Sequence, residues 1–278
     1  LVRIIQTLSG KYEILTYLKT RFHPTPKRVW VSSRAYLNYK NNLNQAKEVA
    51  RTIFSTLYTS YDKVVLYLTF FQDLKWKTKL LNLSNLRSRD LVLDIGIGTG
   101  LLQQFYQNYT VPRFIGIDMS EEMLKVCMNK KLRCIDDLVL ADAEKLPFRD
   151  CSFDVVVSCY VAKYCRQNIF CKQVSSALKK HGRLVLYDFA KPTNAASLHY
   201  IYVFAILPFF GRLAAILAKN LGPTLRELPR IIATSDWEMT IEKQLLKNGF
   251  TEVKSELLNA NGARLFTAEK LINDNYTE

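Results

Sequence analysis

The chain of 278 residues is long enough for one sizeable core, or for a core with a small accessory domain. With 49% hydrophobic and 23% charged residues it has the balance of a globular protein, which excludes disordered and fibrous classes. A net charge of +14 at pH 7 points either to an anionic partner, nucleic acid or lipid headgroups, or simply to solvated surface charge.

Half of that excess lies in the first fifty residues, where nine Lys or Arg face only Glu13 and Glu48. Over residues 4–22, Ile4, Ile5, Leu8, Tyr12, Leu15, Leu18 and Phe22 follow a helical period, weakened by Gly10 and ended by His23-Pro-Thr-Pro26. Residues 27–42 have no period and read as a linker or small cap. From Asn44, the positions Ala46, Val49, Ala50, Ile53, Phe54, Leu57, Tyr58 and Tyr61 make an i, i+3, i+4 stripe, and an apolar run over 64–71 leads on to Trp76 and Leu80. Two helices are expected here, either covering the mouth of a site or simply packing on the core. The domain division is therefore a basic N-terminal extension over 1–43, helical in its first half, and a main domain over 44–278.

Strand and helix then alternate, as in a doubly wound parallel sheet. Strands are expected at 91–95, 113–117, 138–140, 153–158 and 183–187. A helix starts at 101–106, a second spans 121–130 behind Ser120 as N-cap, and a third spans 168–180 with Gly182 closing it. Residues 198–217 are apolar apart from His199, Pro208, Gly211 and Arg212, and suit a lid or an interfacial helix over 193–235 better than a membrane span. A helix at 237–248 and strands at 251–255 and 264–268 close the chain, the two strands as an antiparallel hairpin. Six cysteines between Cys127 and Cys171 match no zinc spacing and read as free thiols of a reducing compartment. Charge interrupts the N-terminus before any long apolar region, so no signal peptide is expected.

The stretch that organises the chain is Leu91-Val-Leu-Asp-Ile-Gly-Ile-Gly-Thr-Gly100. A short apolar strand runs into Gly96, Gly98 and Gly100, which lets the backbone turn sharply and a ligand approach beside the following helix. The nicotinamide fingerprint requires a glycine where Leu101 stands, so the third glycine comes one residue early for that ligand. Asp118 closes the second strand, where a carboxylate can accept from both ribose hydroxyls. Asp142 follows the third strand, where it can accept from an adenine amine, with the Ala143 N–H free to address a ring nitrogen. A helix cap and a turn are the structural alternatives for these two aspartates.

Asp94 with Gly96, Gly98 and Gly100, then Asp118, then Asp142 with Leu146-Pro147-Phe148, then Phe153-Asp154 together resemble the signature of class I S-adenosylmethionine (SAM) methyltransferases. The resemblance implies a Rossmann-like α/β fold with a seven-stranded, mostly parallel sheet, helices on both faces and an antiparallel C-terminal hairpin. It implies SAM as cofactor, no metal, and a donor site that also takes in Thr99, Met119 and Ser158.

The flanks are similar to the ubiquinone/menaquinone biosynthesis C-methyltransferases, the UbiE family. Tyr61-Asp62 before Trp76, the run Leu178-Lys-Lys-His-Gly-Arg-Leu-Val-Leu-Tyr-Asp-Phe-Ala-Lys-Pro192, Leu207-Pro208, Gly211-Arg212, Leu228-Pro229 and Asn248-Gly-Phe250 carry the likeness over about residues 48–270. The chain departs from the family where an Arg-Asn pair implicated in ring activation is replaced by Ala162 and Lys163. Tyr61, Tyr160 and Lys163 become the candidates on the acceptor side, Lys163 as a base if burial lowers its pKa.

The expected activity is methyl transfer to an apolar small molecule, a quinone precursor or lipid-like acceptor, by a cytoplasmic enzyme that can rest on a membrane face. A tRNA-modifying methyltransferase is one alternative: the run Leu146 to Asp154 also resembles wobble-uridine tRNA enzymes, although their His pair is replaced by Lys163-Tyr164. A non-catalytic SAM-binding partner subunit is the other.

Overall fold

A computed structural model describes residues 29–31, 51, 54–55, 57–106, 112–191, 205, 209, 228–229, 231–233, 235–258 and 262–271. The helix expected over 4–22 and nearly all of the apolar stretch 198–217 lie outside these residues. Among the described residues, no helix is long and apolar enough to cross a membrane.

The expected seven strands are present: β2 (Leu91–Ile95), β3 (Arg113–Asp118), β4 (Ile135–Leu140), β5 (Phe153–Cys159), β6 (Leu178–Phe189), β7 (Phe250–Leu257) and β8 (Ala263–Lys270). They stand in the order β4-β3-β2-β5-β6-β8-β7, parallel through β6, with β8 antiparallel to β6 and β7 antiparallel to β8. An eighth strand, β1 (Val29–Val31), pairs parallel with the outer edge of β4, Val29 opposite Leu138 and Val31 opposite Leu140. It arises inside the stretch expected as a linker or cap: pairing with an open edge needs only backbone register, and three residues are too short to show a period.

Helices cover both faces, because the parallel strands are apolar on both sides. One layer joins Trp76 and Leu80 of α2 (Gln72–Ser84) and Leu124 and Cys127 of α3 (Glu121–Asn129) to Phe114, Val155 and Tyr187 of the sheet. The other joins Phe170 and Val174 of α4 (Gln167–Ala177) and Trp237 and Ile241 of α5 (Trp237–Lys247) to Leu93, Phe153 and Phe266. Each fully buried ring or aliphatic side chain there contributes about 1.5–3 kcal/mol. A further helix, α1 (Tyr61–Leu68), precedes α2.

Local signals decide most element ends. Ser120 caps α3 by accepting from Met123 N–H at 3.2 Å, with Glu121 and Glu122 in the first turn. Two expectations are corrected. Gly100 leads not into a described α-helix but into a turn and a single 3-10 turn, Gln103–Tyr106. Gly182 does not cap the preceding helix: α4 ends at Ala177 and the chain passes directly into β6, with His181 rather than the glycine in the left-handed region.

The strand order reverses at β2, where β3 leaves to one side and β5 to the other. The carboxyl ends of strands around such a switch point leave a crevice between the outgoing loops, and the site forms there.

Candidate active site

The loop after β2 is tied across to β3: Gly96 N–H and Ile97 N–H both donate to Ile117 O, at 2.8 and 2.9 Å. Gly96 has φ +80, and a Cβ on it would lie 2.2 Å from Val161 Cγ2. Gly100 has φ +76, and a Cβ there would press on Cys127 Sγ at 2.7 Å and Leu132 Cδ1 at 2.9 Å. The first glycine lets the loop of β5 close in, and the third lets α3 close in. Gly98 is the one with open space beside it, its nearest neighbour being Tyr61 Cε1 at 4.0 Å.

Asp118, at the end of β3, is buried and holds the loop in place. Its Oδ2 accepts from Gly98 N–H and its Oδ1 from Ser120 N–H, both at 2.9 Å. Burial pushes its carboxyl up to about 6 against those hydrogen bonds. Asp142 follows β4, its Oδ1 accepting from Glu144 N–H at 2.8 Å, and Lys145 N–H closes the turn on Asp142 O at 2.8 Å. Glu144 fastens this turn to the start of α4 through the Arg166 guanidinium, whose Nε and Nη2 donate to Oε2 at 2.8 and 2.6 Å.

An open cleft lies between these loops. Of the expected site residues, Tyr61, Gly96, Gly98, Asp118, Met119, Asp142, Ala143 and Tyr160 line it. Asp94, Thr99, Gly100, Ser158 and Lys163 do not, and each has another task. Asp94 accepts from Gln103 Nε2 at 2.7 Å beneath the loop, and burial pushes it up to about 7. The Thr99 hydroxyl donates to Asp62 Oδ1, and Asp62 Oδ2 pairs with Lys130 at 2.6 Å, so α1 is latched to the glycine loop. The Ser158 hydroxyl donates to Ile95 O at 2.8 Å, stitching β5 to β2.

The far wall of the cleft is aromatic. Phe54 stands edge-on to Tyr61 and to Tyr164, with centroids 5.8 and 6.0 Å apart. Tyr160, at φ +63, occupies backbone space unfavourable for a bulky residue, and it is gripped at both ends. Its hydroxyl donates to Asp73 Oδ1 at 2.8 Å, and its carbonyl accepts from Lys163 Nζ at 2.7 Å. Each gripping group belongs to a buried ion pair. Lys77 Nζ lies 2.5 and 2.6 Å from the Asp73 oxygens, with the Tyr187 hydroxyl donating to Asp73 Oδ1 at 2.9 Å. Lys163 Nζ lies 2.7 Å from Asp188 Oδ1.

Lys163 is thereby corrected as a candidate base on the acceptor. Burial does lower its pKa, as expected for a desolvated ammonium, but its protons are directed at Asp188 and Tyr160 rather than into the cleft. Burial drives the Tyr61 and Tyr160 hydroxyls well above their ordinary range, so both remain protonated at neutral pH. Asp73, Lys77 and Asp188 escaped sequence reasoning. The i, i+4 spacing of Asp73 and Lys77 signals a pair on one helix face, but an exposed one would have looked the same.

The arrangement suits an adenosyl ligand with an apolar neighbour: an open glycine, carboxylates after two adjacent strands, small Ala141 and Ala143 beside Asp142, and an aromatic wall opposite. The model of the ubiE/COQ5 methyltransferase family matches residues 40–270. The ubiquinone/menaquinone biosynthesis C-methyltransferase UbiE of Pseudomonas fluorescens (strain Pf0-1) is 30% identical over 222 residues, covering 76% of this chain and 84% of that protein. The UbiE of Pseudomonas entomophila (strain L48) is 31% identical over 218 residues, covering 75% and 83%. Among solved structures, a methyltransferase in complex with the Haloferax volcanii Trm112 methyltransferase activator shares the fold at TM-score 0.56 and 16% identity, covering 79% of this chain and 98% of that one. Haemonchus contortus phosphoethanolamine N-methyltransferase 2 in complex with SAM shares it at TM-score 0.52 and 17% identity, covering 71% and 53%. The chain belongs to the ubiE/COQ5 methyltransferase family and is a SAM-dependent methyltransferase.

Proposed function

We propose that this enzyme methylates an apolar small molecule of the quinone-precursor class. The observation that carries the reading is the contiguity of two unlike surfaces in one cleft: Gly98, Asp118 and Asp142 on one side, and Tyr61, Tyr160 and Tyr164 on the other. The 30% identical relatives named for ubiquinone and menaquinone biosynthesis support the same class.

On this reading Asp118 receives the ribose hydroxyls, and Asp142 with the Ala143 N–H receives the adenine. Gly98 lets the rest of the donor lie against bare backbone. Bound there, SAM supplies an electrophilic methyl group on a sulfonium. Tyr61 and Tyr160 orient the acceptor and keep water away, Tyr61 by contact and hydrogen-bond donation and Tyr160 by ring contact alone, since its hydroxyl proton is committed to Asp73. Lys163 acts through Tyr160, whose carbonyl it holds. In place of the family's Arg-Asn pair, the chain offers a rigid aromatic wall and no free cation at 162–163 directed at the cleft.

The test is incubation with methyl-labelled SAM and either a total lipid extract or total tRNA, followed by mass spectrometry. Label in a prenylated aromatic of the lipid extract is expected. Label in tRNA alone would overturn the proposal in favour of an RNA acceptor.

A further inference from the structure

Two kinds of tyrosine hydroxyl stand around the cleft. Those of Tyr160 and Tyr187 are spent inside the protein, both donating to Asp73 Oδ1, at 2.8 and 2.9 Å. Those of Tyr61 and Tyr164 have no hydrogen-bond partner among the described residues, although both rings line the cleft. Neither oxygen is shut in. Among the described residues, the buried side-chain N and O atoms left without a partner belong to Trp76, Asp94, Gln103, Gln104 and Gln167. Tyr164 is only 8% exposed, and a ring that served the core alone would gain nothing from a hydroxyl it must desolvate unpaired. Phenylalanine would fill the same space at lower cost.

The Tyr164 ring is held so firmly that its hydroxyl is aimed. It closes the 3-10 turn Ala162–Tyr164, whose backbone is pinned by its neighbours: Lys163 N–H donates to Asp188 Oδ2 at 2.9 Å, and Gln167 Nε2 donates to Ala162 O at 2.6 Å. The ring packs with Ile231, has Phe54 edge-on, and carries the Lys163 ammonium 4.3 Å from its centroid. The charge that stands where the family has its Arg-Asn pair therefore meets the cleft only as a clamp on the next residue. Burial and the Asp188 carboxylate hold the Tyr164 hydroxyl above the ordinary tyrosine range, so it is a donor at neutral pH. Phe54 also stands edge-on to Tyr61, the second free donor, whose ring is the nearest neighbour of the open space at Gly98.

We propose that Tyr164 determines acceptor specificity: its hydroxyl, like that of Tyr61, donates to an oxygen carried by the acceptor's aromatic ring. The preferred acceptor is then a hydroxylated ring with an apolar tail. An oxygen-free ring of the same shape is rejected, because it leaves both donors unpaired in a desolvated cleft. Holding a ring oxygen also fixes the ring's rotation, and with it the ring carbon turned towards the methyl group. The proposal deepens the apolar-acceptor reading and rests on it, naming the polar contact within the aromatic wall. It adds no chemical step, since a protonated phenol gives a hydrogen bond here and takes no proton.

Two probes with the same tail test it: geranyl-1,4-benzenediol, kept reduced with ascorbate, and geranylbenzene, which has no oxygen. Binding to the full chain saturated with S-adenosylhomocysteine is measured by calorimetry, so that no turnover is needed. The wild type is expected to bind the diol about a hundredfold more tightly than geranylbenzene, about tenfold for each donor. Tyr164→Phe keeps the ring, its packing and the Lys163 contact. It should lose about tenfold on the diol and nothing on geranylbenzene, with melting temperature and SAM affinity unchanged. Tyr61→Phe should lose a similar factor on the diol, and the double variant should bind the two probes nearly alike. An equal loss on both probes would make Tyr164 a packing residue and overturn the proposal. A lowered melting temperature with the preference for the diol intact would do the same, by giving the hydroxyl a partner inside the protein. If the wild type binds neither probe, the apolar-acceptor reading fails and the Tyr164 assignment with it. If the wild type prefers the diol and Tyr164→Phe prefers it equally, the Tyr164 assignment fails alone.

Discussion

The two sides of the cleft are built by different means. The side proposed for the donor is held by backbone N–H groups on nearby carboxylates: Gly98 and Ser120 on Asp118, Glu144 on Asp142, at separations of 20, 2 and 2 residues. The side proposed for the acceptor is held by buried side chains from distant parts of the chain, with Asp73 reaching Tyr160 and Tyr187 across 87 and 114 residues. A backbone-made site recognises what every donor molecule shares and tolerates few changes of residue type. A side-chain-made wall can be rebuilt for another acceptor while the donor loop stays where it is.

The largest expected effect tests whether the two sides are separable. Asp73→Ala leaves the Lys77 ammonium buried without its carboxylate, which costs about 3–5 kcal/mol of stability by denaturant titration. The paired change Asp73→Leu/Lys77→Met removes both charges and should recover most of that loss. In either variant that remains folded, SAM affinity by calorimetry should stay within about threefold of wild type, while methyl transfer falls because Tyr160 loses its anchor. A matching collapse of SAM affinity would mean that the two sides are one unit.

The next effect is on the donor side alone. Asp118→Ala removes the carboxylate proposed for the ribose and frees the Gly98 N–H that fixes the loop. SAM binding should weaken by about 2–3 kcal/mol, on the order of a hundredfold, with the melting temperature little changed. Unchanged SAM affinity would remove the ribose assignment.

This contrast also explains what the sequence could reveal. Asp118 was legible because it ends a parallel strand at a fixed interval after a glycine turn, and the β2–β3 register then places it beside Gly98. The seven strands were legible from apolar runs and their spacing. Lys163 was misread because its neighbour Asp188 sits 25 residues on, at the end of β6, and only the β5–β6 pairing brings the loop after β5 alongside it. The Asp73–Lys77 pair was passed over although it shares the i, i+3, i+4, i+7 face of α2 with Trp76 and Leu80, because a charged pair at i, i+4 ordinarily belongs to a solvated face. Thr99 was assigned to the ligand by its place in the motif, while its hydroxyl turns to Asp62 on a helix whose packing no local pattern encodes. Strand β1 is three residues chosen by the open edge of β4, and so it left no signal of its own.

A pH measurement sharpens the comparison from beneath the loop. The Asp94 carboxyl, pushed by burial from 3.8 up to about 7, keeps its proton in the folded chain over a range where the unfolded chain has released it. The folded state therefore binds more protons between these values, so stability is fully present below about pH 4 and falls as pH rises through about 7. Asp118, raised to about 6, acts in the same direction. Melting curves without donor should show a loss of about 4 kcal/mol between about pH 5 and about pH 8, and Asp94→Asn should remove about two-thirds of it. The amide keeps an acceptor for Gln103 and carries no charge to desolvate. A slope that survives the substitution would place the titrating group elsewhere.

The smallest effect separates a latch from a ligand contact. Thr99 is buried, and its hydroxyl spans the gap between the glycine loop and α1 by donating to Asp62, which Lys130 holds from α3. Thr99→Val keeps the shape and removes the donor, while Asp62 retains its lysine, so the cost should be about 1 kcal/mol of stability. Because Thr99 does not line the cleft, SAM affinity should fall by less than about tenfold, and only through the loosened approach of Tyr61 to Gly98. Asp62→Ala should cost somewhat more, since it removes the same hydrogen bond together with the Lys130 pair, and the double variant should cost less than the sum because that one hydrogen bond is lost in both. If Thr99→Val instead matched Asp118→Ala in SAM affinity without a stability loss, its hydroxyl would have to turn to the donor on binding, and the latch would open as the cleft fills.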